Sequence, residues 1–342
     1  MSLDAARVGH LASLPFGLGG APLGNLFHPV TEAMAAATLD QALACGVRYF
    51  DTAPHYGQGL SETRFGNALR AVPRREYLLS TKVGRILEPT RDAPANQHGF
   101  IEVPPLATRY DYSGAGFERS LSDSRRRLGV DDIDVVLVHD LDRATHGATF
   151  MAHFDAYLRT GRATLEAMRS AGTIGGHGIG VNGVDIALAT LREADIDVML
   201  LAGRYTLADQ SALEVLLPEC ARRGVTVVLG GPFNSGILVT GTRPRDGSAP
   251  MFDYAPATAA LVARVAAIET LCAEHAVPLA AAALQFIVAH PAITVVLAGA
   301  RSADEIAAIA TWSQWPVPAA FWQALRTRRL VDAAAPLPGD PP

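Results

Sequence analysis

Four polar residues stand where apolar runs of the chain end: Asp51 and, five residues on, Tyr56; Lys82; and His139. Asp51 and Tyr56 belong to Val47-Arg48-Tyr49-Phe50-Asp51-Thr52-Ala53-Pro54-His55-Tyr56-Gly57, which starts with strand character and finishes in turn signals. Lys82 interrupts the otherwise apolar end of Leu79-Ser80-Thr81-Lys82-Val83, and His139 closes a run that begins at Ile133. A free phenol, with a pKa of ~10, is a poor base at neutral pH. An ammonium beside it stabilises the phenolate, and a carboxylate holds the ammonium in place. An imidazole across the site orients or polarises the reacting oxygen. Together the four residues compose a proton-transfer device. Singly, each has a plainer role: Asp51 as a cap, Tyr56 as loop packing, Lys82 snorkelling to water, His139 as a satisfied core histidine.

Such a device needs strands that deliver their ends to one place. Strand-like runs at residues 14–19, 47–51, 77–83, 133–139, 174–182, 198–205, 225–231 and 293–298 alternate with helical patterns. The helical patterns cover residues 31–44, 61–70, 113–128, 184–194, 211–223, 258–275, 279–290 and 302–311, with one more around residues 165–168. Residues 61–70 read as a surface helix, with Glu62 and Arg64 facing water. Six of the eight strand runs are nearly unbroken apolar stretches, the mark of a parallel sheet covered on both faces. Right-handed crossovers then give a doubly wound sheet or a closed (β/α)8 barrel. Eight regular units without a linker favour the barrel, a single domain over residues 1–330 followed by a loose tail at 331–342. Gly17-Leu18-Gly19-Gly20 lacks the third glycine of a dinucleotide fingerprint. Two stretches, residues 84–111 and 142–160, carry no clear period and read as functional loops.

Composition narrows the class. Nearly half of the 342 residues are apolar and 18% are charged, enough for a large core. A net charge of −5 argues against a nucleic-acid partner. Cys45, Cys220 and Cys272 lie far apart, so neither a disulfide framework nor a zinc or other metal site is suggested. No signal peptide or spanning segment is evident, which leads to the expectation of a cytoplasmic protein without a membrane partner. The oligomeric state stays open.

Over nearly its whole length the chain resembles the aldo-keto reductases. The resemblance rests on Gly17-Leu18-Gly19, the run Phe50 to Gly57, Ser61-Glu62, the run Ser80 to Arg85, Ser120-Leu121 with Ser124, and Arg127-Leu128-Gly129. Asp134 with His139, the run Gly178 to Asn182, and Gly299-Ala300-Arg301 complete it. It implies a TIM barrel, Asp51, Tyr56, Lys82 and His139 as catalytic tetrad with Tyr56 as acid/base, and a nicotinamide cofactor over the barrel mouth. Tyr110 to Ser113, His139 to Asp142 and Ala202 to Leu207 look like the aldose dehydrogenase branch, which acts on L-fucose or D-threo-aldoses; pyridoxal 4-dehydrogenase is similar. Both reactions take a cyclic hemiacetal to a lactone. On this reading Tyr56, His139 and Tyr112 meet a small sugar or aldehyde substrate. A general aldehyde or ketone reductase, and a non-catalytic regulatory subunit of ion channels, share the fold and stay open.

By the same resemblance the cofactor residues are Gly20, Asp51, Asn182, Phe233, Asn234, Ser235, Gly236, Ala300, Arg301 and Glu305. The chain departs from the family where the nicotinamide is usually cradled. Gly183 follows Asn182, Ala202 replaces a Gln, and Gly230-Gly231 stand where an aromatic residue is common. A 2′-phosphate needs basic partners, and Asp304 and Glu305 outnumber Arg301 near the adenosine end. NAD is therefore expected, with NADP open.

Overall fold

Residues 16–245 and 247–340 are described by the structure, a computed structural model. The N-terminal residues searched for a signal peptide, and the first two of the strand expected at 14–19, lie outside them. Eight parallel strands close a barrel: β1 Gly17–Gly19, β2 Tyr49–Asp51, β3 Leu78–Val83, β4 Ile133–His139, β5 Ile174–Val181, β6 Val198–Ala202, β7 Thr226–Gly230 and β8 Ile293–Gly299. Strand alternation decides what faces inward. Tyr49, Leu78, Val135, Leu137, Val198, Leu200, Val228, Val295 and Leu297 form the small interior cluster. Phe50, Leu79, Val136 and Val138 face out into the larger cluster beneath the helices. Asp51, Lys82 and His139 fall on the inward period, two or four residues beyond Tyr49, Leu78 and Leu137. Asp51 pairs with Ser80, and Lys82 with Leu137, so the three side chains converge at one end.

The helices follow from their caps. Glu32–Ala44 opens on Thr31, whose hydroxyl accepts the Met34 N–H. Gly114–Leu128 opens on Ser113, closes on Gly129 and carries Arg125, Arg126 and Arg127 in its last turn. Helix Leu60–Leu69 is no surface helix. Glu62 is buried, accepting from Thr81 Oγ1 and Arg127 Nε, both at 2.6 Å. Arg64 is buried as well, donating to the carbonyls of Leu23 and Val30 and to Asn25 Oδ1. Polar residues at helical spacing face water only if nothing packs on them, and here the β1 loop and the Gly114–Leu128 helix do.

Three further differences concern segments without apolar period. Residues 84–111 hold an antiparallel ribbon, Arg85–Pro89 with Leu106–Tyr110, and a smaller pair, Asn96–Gln97 with Phe100–Ile101. Residues 142–160 fold as short helices, Arg143–His146 and Phe150–Ala156, running on into a π turn. The helix expected at 211–223 is formed only at Leu216–Arg223, because Thr206 and Asp209 accept the N–H groups of Ala208, Asp209 and Ser211 in turns. The structure adds a helix, Ala319–Thr327, behind Pro318. The tail expected to be loose is packed through residue 340: Val331, Ala335 and Leu337 are buried, and Asp340 pairs with Arg326 at 2.5 Å. Its last two residues lie outside the described ones.

Candidate active site

The ends of β2, β3 and β4 bring three of the four candidate residues into one cluster. Lys82 Nζ donates to Asp51 Oδ2 at 2.6 Å and to the Thr52 carbonyl at 2.9 Å. Ser80 Oγ donates to the other carboxylate oxygen at 2.7 Å. Lys82 and Asp51 are 1% and 3% exposed. A buried lysine of this kind is not snorkelling; it is fixed. Tyr56 arrives from the turn after β2, where its N–H bonds the Ala53 carbonyl and its carbonyl accepts the Ser61 N–H. Gly57 secures that turn. Its φ is +65°, and a Cβ there would lie 2.3 Å from the Gly24 carbonyl oxygen. The Tyr56 ring is half-buried, its centroid 4.5 Å from Lys82 Nζ and 5.7 Å from the His139 ring, which meets it edge-on.

Electrostatics separate the partners. Burial pushes the Tyr56 phenol up to about 12, with the Lys82 charge opposing the rise and Asp51 adding to it. Burial works against the Lys82 ammonium, yet Asp51 and Tyr56 outweigh it and keep it above its ordinary value. Burial, then the charges of Arg85 and Lys82, hold His139 well below the usual imidazole range. His55, whose ring lies 5.9 Å from that of His139, is lowered to about 2 by burial and by Arg85, His98 and Lys82. Both imidazoles are neutral at physiological pH.

A histidine kept neutral in the fold takes up a proton below pH ~6.5 only when the chain unfolds. Stability is then present above that pH and declines below it, by up to about 1.4 kcal/mol per unit for each such group. Replacing His55 by Gln removes one share of that decline. The gap in melting temperature between wild type and variant is expected to narrow from pH 7 to pH 5; a constant gap would show that His55 titrates normally.

Three contributors were not legible in the sequence as site residues. Arg85, just past β3, donates from Nη2 to Asp140 Oδ2 at 2.5 Å, and that oxygen lies 3.3 Å from His139 Nε2. Asp140 has a left-handed backbone, φ +45°, with its N–H bonded to the Gly180 carbonyl. The pair joins residues 55 apart, so no local period announces it. His55 likewise lies within the Phe50 to Gly57 run with no signal of its own, although its ring packs 5.1 Å from Phe100 and 5.5 Å from His98.

The expected binding residues divide. Tyr112 is corrected: it is a buried packing residue, not a mouth residue. Its hydroxyl donates to the His139 carbonyl at 2.7 Å and meets His146 Nε2 at 2.8 Å. Gly20 is part of the barrel wall, its N–H on the Asp51 carbonyl and its carbonyl accepting from Ser61 Oγ. Asn234 is buried, its amide bonded to Thr206 Oγ1 and the Gly203 carbonyl, and it shapes the loop through them. Ser235 Oγ accepts the Tyr254 N–H, and the Phe233 ring packs on Trp312. Asn182 is exposed at the end of β5, and Ala300 is buried after β8. Arg301 and Glu305 pair, the carboxylate accepting the Arg301 N–H at 2.8 Å and its guanidinium at 3.2 Å.

One turn of this edge is open. At Gly236, φ +99°, an added Cβ would meet no described residue within 4 Å, whereas one at Gly230 would lie 3.3 Å from a Leu200 methyl and 3.7 Å from Ala202 Cβ. Ala202, Gly230 and Gly231 put no long side chain at the ends of β6 and β7.

The aldo/keto reductase family matches residues 15–327. Pyridoxal 4-dehydrogenase of Microbacterium luteolum is 41% identical over 333 residues, covering 92% of this chain and 94% of that protein. D-threo-aldose 1-dehydrogenase of a Pseudomonas species is 36% identical over 331 residues, covering 96% and 97%. Among solved structures, an aldo-keto reductase from Bacillus halodurans in its holo form superposes with a TM-score of 0.70 at 25% identity, over 93% of this chain and 92% of that one.

Proposed function

The chain belongs to the aldo/keto reductase family and is an oxidoreductase, and from that premise we propose that it oxidises the anomeric hydroxyl of a free aldose, of the L-fucose or D-threo-aldose type, to the lactone. One observation carries the proposal: the Lys82 ammonium is locked between Asp51 and the Tyr56 ring at the barrel mouth. Tyr56 as phenolate accepts the hydroxyl proton of the substrate. Lys82 stabilises that phenolate, and Asp51 with the Thr52 carbonyl keeps Lys82 in place. Neutral His139 donates to or accepts from the reacting oxygen without bringing a charge. A bound nicotinamide supplies the hydride acceptor. Asn182, the backbone of Phe233, Asn234, Ser235 and Gly236, and Ala300-Arg301 are the residues that would hold it.

NAD is the cofactor this reading favours. Glu305 engages Arg301, a cation that would reward a 2′-phosphate, and Asp304 adds a second negative charge in the same helical turn. A second reading, oxidation of pyridoxal, is favoured by the 41% identity to the Microbacterium enzyme and uses the same hemiacetal chemistry.

The test is a panel of free aldoses and pyridoxal with each oxidised cofactor, followed by the absorbance of reduced nicotinamide. The expected result is highest kcat/KM with an aldose and NAD. Aliphatic aldehydes reduced far more efficiently than any aldose is oxidised would reverse the substrate class. A tenfold preference for NADP would overturn the reading of Arg301 and Glu305.

A further inference from the structure

Asp140 is placed as no purely structural acid needs to be. It follows His139 directly, and its backbone takes a left-handed conformation that costs a non-glycine residue about 1 kcal/mol or more. One carboxylate oxygen, Oδ2, serves both Arg85 and His139. The other, Oδ1, has no hydrogen-bond partner among the described residues, and the side chain is 20% exposed while Arg85 beneath it is 5% exposed. Burial raises the Asp140 pKa, and the Arg85 guanidinium opposes that rise. The result is a carboxylate anchored through Oδ2, which lies beside the His139 imidazole, with Oδ1 left free of any hydrogen bond to a described residue.

We infer that Asp140, braced by Arg85, is a specificity-determining residue that accepts a hydrogen bond from a substrate hydroxyl on the carbon next to the reacting one. The inference rests on the aldose reading and deepens it. A substrate whose reacting oxygen lies on His139 carries its neighbouring hydroxyl three bonds from that oxygen, close enough to reach the carboxylate whose Oδ2 lies 3.3 Å from His139 Nε2. A carboxylate accepts and never donates, so it selects a hydroxyl over hydrogen, a carbonyl or an ether at that carbon. Loss of a hydrogen bond to a charged group reduces affinity about tenfold or more. The chemical class recognised is therefore the α-hydroxy aldehyde and its cyclic form.

The experiment compares matched pairs in both directions: 2-hydroxypropanal against propanal with reduced cofactor, and an aldose against its 2-deoxy form with oxidised cofactor. The quantity read is the ratio of kcat/KM within each pair, in wild type, Asp140→Asn and Asp140→Glu. Wild type is expected to favour the hydroxylated member at least tenfold. In Asp140→Asn the ratio falls to within about threefold of one, whatever happens to the absolute rates, while Asp140→Glu keeps part of the preference. Thermal melting establishes that each variant is folded. If Asp140→Asn does not fold, a ratio in Asp140→Glu identical to wild type counts against the inference. An unchanged ratio in folded Asp140→Asn overturns it, and makes Asp140 a positioning residue acting through His139. A preference seen only with 2-hydroxypropanal, with no aldose oxidised, supports Asp140 and sinks the aldose reading. Turnover of no member of either pair overturns both.

Discussion

Replacing Tyr56 by Phe is expected to lower kcat by about two to four powers of ten, the size of a general acid/base contribution, while cofactor affinity barely changes. The substitution removes one oxygen and keeps the ring. The contacts that place that ring are all retained: Lys82 Nζ at 4.5 Å, His139 at 5.7 Å and Phe100 at 6.2 Å between centroids. Loss of rate with the site intact would therefore report chemistry and not collapse. A phenol pushed up to about 12 also has a consequence for pH. The phenol is therefore protonated at pH 7, so wild-type oxidation should quicken as the pH rises from 7 to 10. The residual activity of Tyr56→Phe should lose that rise. Near wild-type turnover in the variant, or an unchanged pH profile, would mean that another group moves the proton.

The barrel was legible because its signal is repetitive. Six apolar runs and the helices between them point to parallel strands whichever single boundary is wrong, and β3, β4 and β7 lie within a residue of their expected spans at each end. Segments whose stability comes from turn and side-chain bonds were not legible. The ribbon Arg85–Pro89 with Leu106–Tyr110 has only five residues on each side, too few to show a period among prolines. Helix Leu60–Leu69 misled for a different reason. Glu62 and Arg64 have the composition of a solvated face, and only the tertiary partners Thr81, Arg127 and Asn25 reveal that they are internal. The tail from residue 331 likewise reads as loose from its prolines and alanines, yet Val331 and Leu337 are buried.

The site divides along the same line. Asp51, Lys82 and His139 announce themselves because a charged or polar group on the inward period of an apolar strand is rare and needs a reason. Tyr112 carried no such signal. A tyrosine near the mouth in sequence has a choice of faces, and this one turns into the core to bond the His139 carbonyl, supporting the strand end from behind. The pairing of Arg85 with Asp140 was hidden for the opposite reason. Each is an ordinary surface residue by type, and only the pairing of β3 with β4 brings them side by side and makes them a part-buried pair. Local pattern identifies the groups that strands deliver; it does not identify those whose meaning is a partner 55 residues away.

Lys82→Met is expected to cost both activity and stability, and the two losses can be separated. Catalysis should fall at least as far as in Tyr56→Phe, since the phenolate loses the only cation that touches its ring among the described residues. Stability should fall by about 3–5 kcal/mol, the usual result of removing one partner from a buried ion pair. Asp51 would be left 3% exposed with, among the described residues, only the Ser80 hydroxyl, 2.7 Å away, to answer its charge. The double variant Lys82→Met with Asp51→Asn removes the second charge as well. An amide costs far less to keep from water than an unpaired carboxylate, so most of the lost stability should return. Activity should not return, because the ammonium is still missing. Thermal unfolding of the two variants beside wild type, with kcat measured on the same preparations, distinguishes the terms. A double variant no more stable than Lys82→Met would show that the buried Asp51 charge is not the source of the loss. A double variant with restored turnover would show that Lys82 serves the fold alone, and the proton-transfer role assigned to it would have to be abandoned.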